Sequence, residues 1–311
     1  MSLEAMLARL EARGAAKAPA PSAEPAPVLG PIQALAPVRL PAWPDAVRAL
    51  PNGFLRSALF GAIRKGPRRY MEHERIAAVD GVEILYTGKR LDQGDRGAYQ
   101  GVLHISRNHG IGQKSYFTAY AMLQLLGKKY TGGNRDTLYE RLFRLKAATV
   151  EVKQGRCTYI GSLIDEVFKD EVTHAYVVIL NEKLRALFEG NEFTLMDWMV
   201  HNELEGKYLA QWLHGFYSSH AKPYPVSIAT LHKLCGSESD DIWKYAQTLR
   251  RSLDDLAEVS TASGQPFKYK ITGDMVHVKR APTGSQQRHL RQREKLSTGG
   301  PQQVGKGDRS R

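Results

Sequence analysis

Two periodicities organise the C-terminal half of the chain. Ile242, Ala246, Leu249, Leu253 and Leu256 fall on one stripe of a 3.6-residue helix, which predicts a core-facing side. The opposite side carries Lys244, Gln247, Thr248 and Arg251, with Arg250 alongside. Just upstream, "SIATLHKLCG" predicts a shorter helix, capped by Ser227 and ended at Gly236, where a left-handed residue is needed. Ser237, Ser239 and Asp240 offer caps for the restart. Two helices joined this tightly must cross steeply, the pattern of a helix-turn-helix. After Val259 the period drops to two. Phe267, Tyr269 and Ile271 alternate with Lys268, Lys270 and Thr272, Gly273-Asp274 turns the chain, and Met275 to Lys279 returns as a second strand. Leu204, Tyr208, Leu209, Trp212, Leu213, Phe216 and Tyr217 supply the apolar face of a preceding helix. Three helices and a hairpin predict a winged helix over residues 189–280.

The pattern occurs twice. Thr118 and Gly127 are spaced like Ser227 and Gly236, and Val150 follows Gly127 at the distance at which Val259 follows Gly236. A helix from about Asn134 turns Leu138, Leu142 and Leu145 inward. Its outward residues are Asp136, Thr137, Glu140 and Arg144, flanked by Arg135, Tyr139 and Lys146. "DRGAYQGVLHISRNHG" supplies the preceding helix, "TVEVKQGRCTYIGSLIDEVFK" and "HAYVVILN" read as strands, and "RIAAVDGVEILYTG" adds a strand pair in front. A first winged helix over residues 43–188 follows, and the fold class is α+β. "HAYVVIL" is either a free edge that templates self-association or a buried central strand.

Charge changes the picture. The formal net charge is +12, of which residues 281–311 contribute +5 and residues 1–42 contribute +1, leaving +6 for the folded part. Residues 1–42 are Ala/Pro-rich and residues 281–311 polar, Gly-rich and basic, so both ends are expected to be disordered. Arg and Lys donate to guanine and phosphate, and Gln pairs with adenine. In the second domain Lys244, Gln247, Thr248, Arg250, Arg251, Lys268, Lys270 and Lys279 are therefore the candidate DNA contacts. Arg135, Arg144 and Lys146 are the weaker set in the first, whose helix holds the DNA backbone or serves protein contacts.

Other chemistry finds little support. Gly88-Lys89 follows a strand without the spacing of a phosphate-binding loop. No His-x-His occurs, and neither Cys157 nor Cys235 has an Arg six positions on to complete a phosphatase loop behind Trp43-Pro44-Asp45. Asp240-Asp241 and Asp254-Asp255 fit capping and solvation better than acid–base work. No enzyme, metal or cofactor is expected. With two cysteines, no CxxC, no long apolar run and no secretory pattern at the start, the expectation is a reduced, cytoplasmic protein.

The segments "WPDAVRALPNGFLRSALF", "ILYTG", "LFEGNEFT" and "FYSSHAKPYPVSIATLHKLCGSES" resemble the TrfA replication initiators of broad-host-range plasmids, within the iteron-binding Rep class, over most of residues 43–280. The resemblance implies binding to tandem direct repeats at an origin and opening of adjacent A+T-rich DNA, with single-stranded DNA as a further ligand. It also implies recruitment of a host initiator, replicative helicase and sliding clamp, and a monomer–dimer equilibrium in which dimers are inactive. In "PIQALAPVRLPAWPD", Gln33 and Leu35 match the family's clamp-binding peptide but no Leu-Phe pair follows, and the basic tail has no counterpart. A winged-helix copy-control repressor is the alternative on the same DNA chemistry.

Overall fold

A computed structural model of the chain describes residues 40–291, except 41, 155, 156, 285 and 289. Nearly all of the N-terminal segment expected to be disordered, with Gln33 and Leu35 of the clamp-like peptide, lies outside the described residues, as does the end of the tail.

The chain enters through β1 (Val47–Pro51), α1 (Asn52–Leu55) and β2 (Phe60–Gly61), then β3 (Tyr70–Ile76), β4 (Val82–Lys89) and β5 (Leu91–Asp92). Three helices follow: α2 (Gln93–Ser106), α3 (Ala119–Leu125) and α4 (Gly132–Ala147), with β6 (Lys114–Thr118) between the first two. Next come β7 (Thr149–Gln154), β8 (Cys157–Gly161), β9 (Glu166–Lys169) and β10 (Ala175–Ile179), a 3-10 helix (Glu182–Asn191) and β11 (Phe193–Asp197). The second half runs α5 (Trp198–Glu203), α6 (Tyr208–Ser218), β12 (Val226–Ser227), α7 (Ile228–Leu234), α8 (Ile242–Ala262), β13 (Phe267–Thr272) and β14 (Met275–Arg280).

The internal repetition read from the sequence has a topological counterpart. In the second half the sheet order is β12-β14-β13, and in the first it is β6-β10-β9. In each, a short strand leads into the second helix and pairs with the last strand of the hairpin. Thr118 accepts from Ala121 N at 3.1 Å and Ser227 from Thr230 N at 3.1 Å, so both second helices begin with the same cap. Gly127 and Gly236 end them at φ of 68° and 64°, where a side chain would be strained. What sets the first half apart is an insertion. β7 and β8 leave the helix-hairpin path and join β3 and β4 in a sheet of order β3-β4-β7-β8.

This arrangement settles the strand "HAYVVIL". β10 is paired on both sides, with β6 and with β9, and Val178 is fully buried. It is a central strand, so the free-edge alternative is corrected. The apolar alternation that suggested an edge reflects one face on the core.

Two hydrophobic clusters result, one drawn from Leu40 to Trp198 and the other from Val200 to Val278. Polar ties join them. Trp212 Nε1 donates to Ser57 O at 3.1 Å, and Arg56 Nε to Ser219 Oγ at 2.9 Å. Arg90 reaches the turn between α7 and α8, donating to Gly236 O at 2.7 Å and pairing with Glu238 at 2.8 Å. Deepest is Arg96, whose Nη2 lies 2.9 Å from Gln211 O and 3.0 Å from His201 Nδ1.

Two sequence expectations change here. Arg144 does not point away from the core: it bonds Asp95 at 2.8 Å, and Asp95 is fully buried in the capping box that opens α2. A buried carboxylate needs a cation, and that demand outweighs the helix-face angle. The basic tail is also not structureless from its start. Residues 284, 286–288, 290 and 291 are helical, and Gln286 Nε2 donates to Ser218 O at 2.7 Å.

Arg144→Ala leaves Asp95 buried without its partner and should lower unfolding free energy by about 3–5 kcal/mol, read from urea midpoints. A pH dependence also follows. Burial, helped by neighbouring guanidinium groups, lowers His214 to about 3 and His104 and His220 to about 4, with His201 well below its usual range. These rings stay neutral when folded but take up protons from about pH 6.5 when unfolded. Stability is thus complete above that value and falls toward pH 4, by up to about 1.4 kcal/mol per pH unit for each ring. Asp95, pushed to about 6 by burial and then by Asp92, acts in the opposite sense over part of that window. Urea unfolding at pH 7.5 and 5.0 should show the net loss.

Candidate nucleic-acid interface

α8 is the longest helix among the described residues, and Asp241 caps it, accepting from Trp243 N at 2.8 Å and Lys244 N at 3.2 Å. The capping residue is Asp241, one position beyond the residues the sequence suggested. The buried stripe is Tyr245, Leu249, Ser252, Leu253, Leu256 and Ser260. Ile242, expected in the core, is 48% exposed. Tyr245 takes that place because its ring packs edge-on against His232 at 4.7 Å and its hydroxyl lies 3.5 Å from Cys235 Sγ. Burial raises the Cys235 thiol to about 11, so it is a packing group rather than a nucleophile.

Away from that stripe, Lys244, Thr248, Arg250 and Arg251 are exposed and Gln247 is half-buried. Arg250 and Arg251 form no ion pair with a described residue, and Lys244 has only Asp241 at 3.8 Å. Thr248 donates its hydroxyl to Lys244 O at 3.1 Å, which leaves it an acceptor outward. The sequence reading missed Trp243, which is 66% exposed. Its signal was available, since Trp243, Gln247 and Arg250 are spaced i, i+4, i+7 on the outward side.

The hairpin contributes a second row. Phe267 is buried and Tyr269 donates its hydroxyl to Asp254 at 2.5 Å, tying β13 to α8. The pleat turns Lys268, Lys270 and Lys279 to the other side, all exposed, and Lys268 stands directly across from Lys279. Like charges directly opposite repel, and a bound polyanion would relieve that repulsion.

In the first half the expected set separates. Arg144 is committed to Asp95. Arg135 lies over the Tyr130 ring at 5.5 Å, and Lys146 is exposed near the end of α4. The outward side of α4 shows Tyr139 and Phe143 among acids. Across the β6-β10-β9 sheet, Tyr116 and Phe168 are exposed on either side of Val177. Of the cations expected to contact DNA, those left exposed are therefore mostly on α8 and its hairpin. No helix among the described residues is long and apolar enough to cross a membrane.

The fold is mixed helix and strand and is similar to a crystal structure of domains 2 and 3 of RctB, at a TM-score of 0.53 and 13% identity over 74% of this chain and 98% of that one. A looser likeness, at a TM-score of 0.45 and 10% identity, covers 60% of this chain and 91% of Pi initiator protein solved in complex with iteron DNA. The profile of the family described as TrfA protein matches residues 32–280, and the chain belongs to that family. It is 30% identical over 246 residues to the plasmid replication initiator protein TrfA of Escherichia coli. That match covers 76% of this chain and 63% of the relative, so the chain spans under two thirds of that protein's length.

Arg251→Ala should weaken binding to a preferred duplex by about 1–3 kcal/mol and relax sequence choice at one position. Selection of bound sites from random DNA, wild type against the Lys244, Gln247 and Arg251 alanine variants, checks it. An unchanged preference in all three would move base readout off α8.

Proposed function

We propose that the chain is a plasmid replication initiator that acts through binding rather than catalysis. In this reading two tandem winged-helix domains, 43–188 and 189–280, engage direct repeats at an origin, and bending of the bound DNA promotes opening of adjacent A+T-rich steps. The second domain reads bases through Lys244, Gln247, Thr248, Arg250 and Arg251 and holds phosphates through Lys268, Lys270 and Lys279. Arg135 and Lys146 add backbone contacts from the first, whose less cationic helix serves partner proteins. Helicase loading through a host initiator completes the role.

The observation that carries this reading is the outward row of α8, a run of cations and an amide on a helix fixed by its buried stripe, in which Arg250 and Arg251 form no ion pair with a described residue. Family membership supports the replication role, because the Escherichia coli relative carries that name. Gln33 and Leu35 without a following Leu-Phe pair argue against clamp recruitment at that position.

The test supplies the protein in trans to a plasmid whose only candidate origin is the DNA flanking its gene. Wild type should give stable transformants, and the triple alanine variant at Lys244, Gln247 and Arg251 should give none while remaining folded. Specific repeat binding without transformants would identify a repressor instead.

A further inference from the structure

Trp243 is anomalous for its residue type in this chain. The other three tryptophans are 2–7% exposed, and each indole N–H has an acceptor: His104 Nδ1 for Trp43, Leu125 O for Trp198 and Ser57 O for Trp212. Trp243 has two thirds of its surface in water. Ile242 is exposed beside it, and together they form an apolar tip on the otherwise mostly polar exposed side of the helix. Single exposed apolar residues are ordinary, but an adjacent pair that includes an indole is a surface waiting for a partner.

The nature of that partner follows from what surrounds the tip. Trp243 heads the stripe that continues through Gln247 and Arg250, so whatever meets those side chains meets the indole as well. The backbone amides of Trp243 and Lys244 are already taken by Asp241, and that carboxylate repels a phosphate. The tip is thus unsuited to the DNA backbone while the helix behind it is cationic. In the major groove the apolar group a base pair presents is the thymine C5 methyl. A recognition helix meets base edges with its N-terminal residues.

We propose that Trp243, with Ile242 beside it, reads thymine methyl groups in the duplex bound by α8. The inference rests on the α8 reading given above and adds a determinant of sequence choice to it. Arg and Gln select guanine and adenine by hydrogen bonds, whereas the indole selects thymine by excluding water from its methyl.

Full-length protein is first used to select its site from random duplex DNA. Each thymine of that site is then replaced singly by deoxyuridine, which deletes the methyl and preserves pairing. Wild type should lose about fourfold in affinity at each thymine that Trp243 touches, the worth of one buried methyl. In Trp243→Ala that penalty should disappear at the same positions, while Arg251→Ala keeps it. Trp243→Leu, still apolar, should retain part of it. Uracil tolerated throughout by the wild type, a selected site without thymine, or a penalty undiminished in both Trp243 variants overturns the inference. An equal loss on thymine and uracil sites in Trp243→Ala sets the indole against sugar and phosphate, and overturns it too. Failure of the α8 reading looks different: the alanine variants at Lys244, Gln247 and Arg251 would select the wild-type site, or no preferred site would emerge at all.

Discussion

Arg96 is buried where the two hydrophobic clusters meet, and no carboxylate of the described residues pairs with it. Removing a bare guanidinium from water costs several kcal/mol unless fixed acceptors replace the lost hydration. Here Nη2 has two acceptors, Gln211 O and the Nδ1 of His201, Nε has none among the described residues, and burial lowers the guanidinium to about 9. His201 can accept only while its ring is neutral, and burial beside Arg96 holds it so. Gln211 closes the arrangement by donating to His201 O at 3.2 Å. Three helices, α2, α5 and α6, are therefore held in one register, because any slip would strand the charge. A purely apolar junction would tolerate sliding; this one does not.

That register fixes α8. The helix packs on α5, α6, α7 and β13, and Arg90 of the first half holds the turn before it by the Gly236 carbonyl. A side chain at Gly236 would be strained by its φ of 64° and would crowd Ala58, with a Cβ 3.0 Å from its methyl, and displace the Arg90 guanidinium, 2.6 Å away. The same glycine thus serves twice, as the left-handed end of α7 and as the point of close approach between halves. The outward row of α8 is an orientation set from the first half of the molecule, not a loose appendage of the second.

Much of this was legible in the sequence, and the exceptions share a cause. Leu249, Leu253 and Leu256 are buried as their spacing predicts, and the caps at Thr118 and Ser227 are where their short polar side chains suggest. These are local properties, decided within one or two helical turns. Arg144 could not be read correctly because its partner, Asp95, lies 49 residues upstream. Tyr245 displaced Ile242 because α7 brought His232 and Cys235 to it, which no helical wheel contains. The status of "HAYVVIL" depended on β6, far back in the chain. Trp243 is the reverse case. Its angle was readable, but attention to cations passed over an aromatic residue on the same side.

The pairing of β1 with β11 joins Val47–Pro51 to Phe193–Asp197, and α5 begins at the next residue, Trp198. The ends of the first cluster are thus stitched together across almost its whole length. Contacts so distant in sequence form slowly, and on the ribosome this one must wait until Asp197 has emerged from the exit tunnel. The first cluster can therefore close only after nearly all of its length has emerged. Nascent chains stalled before Asp197 would expose the apolar side of β1, making this stretch a natural point of contact for chaperones during synthesis.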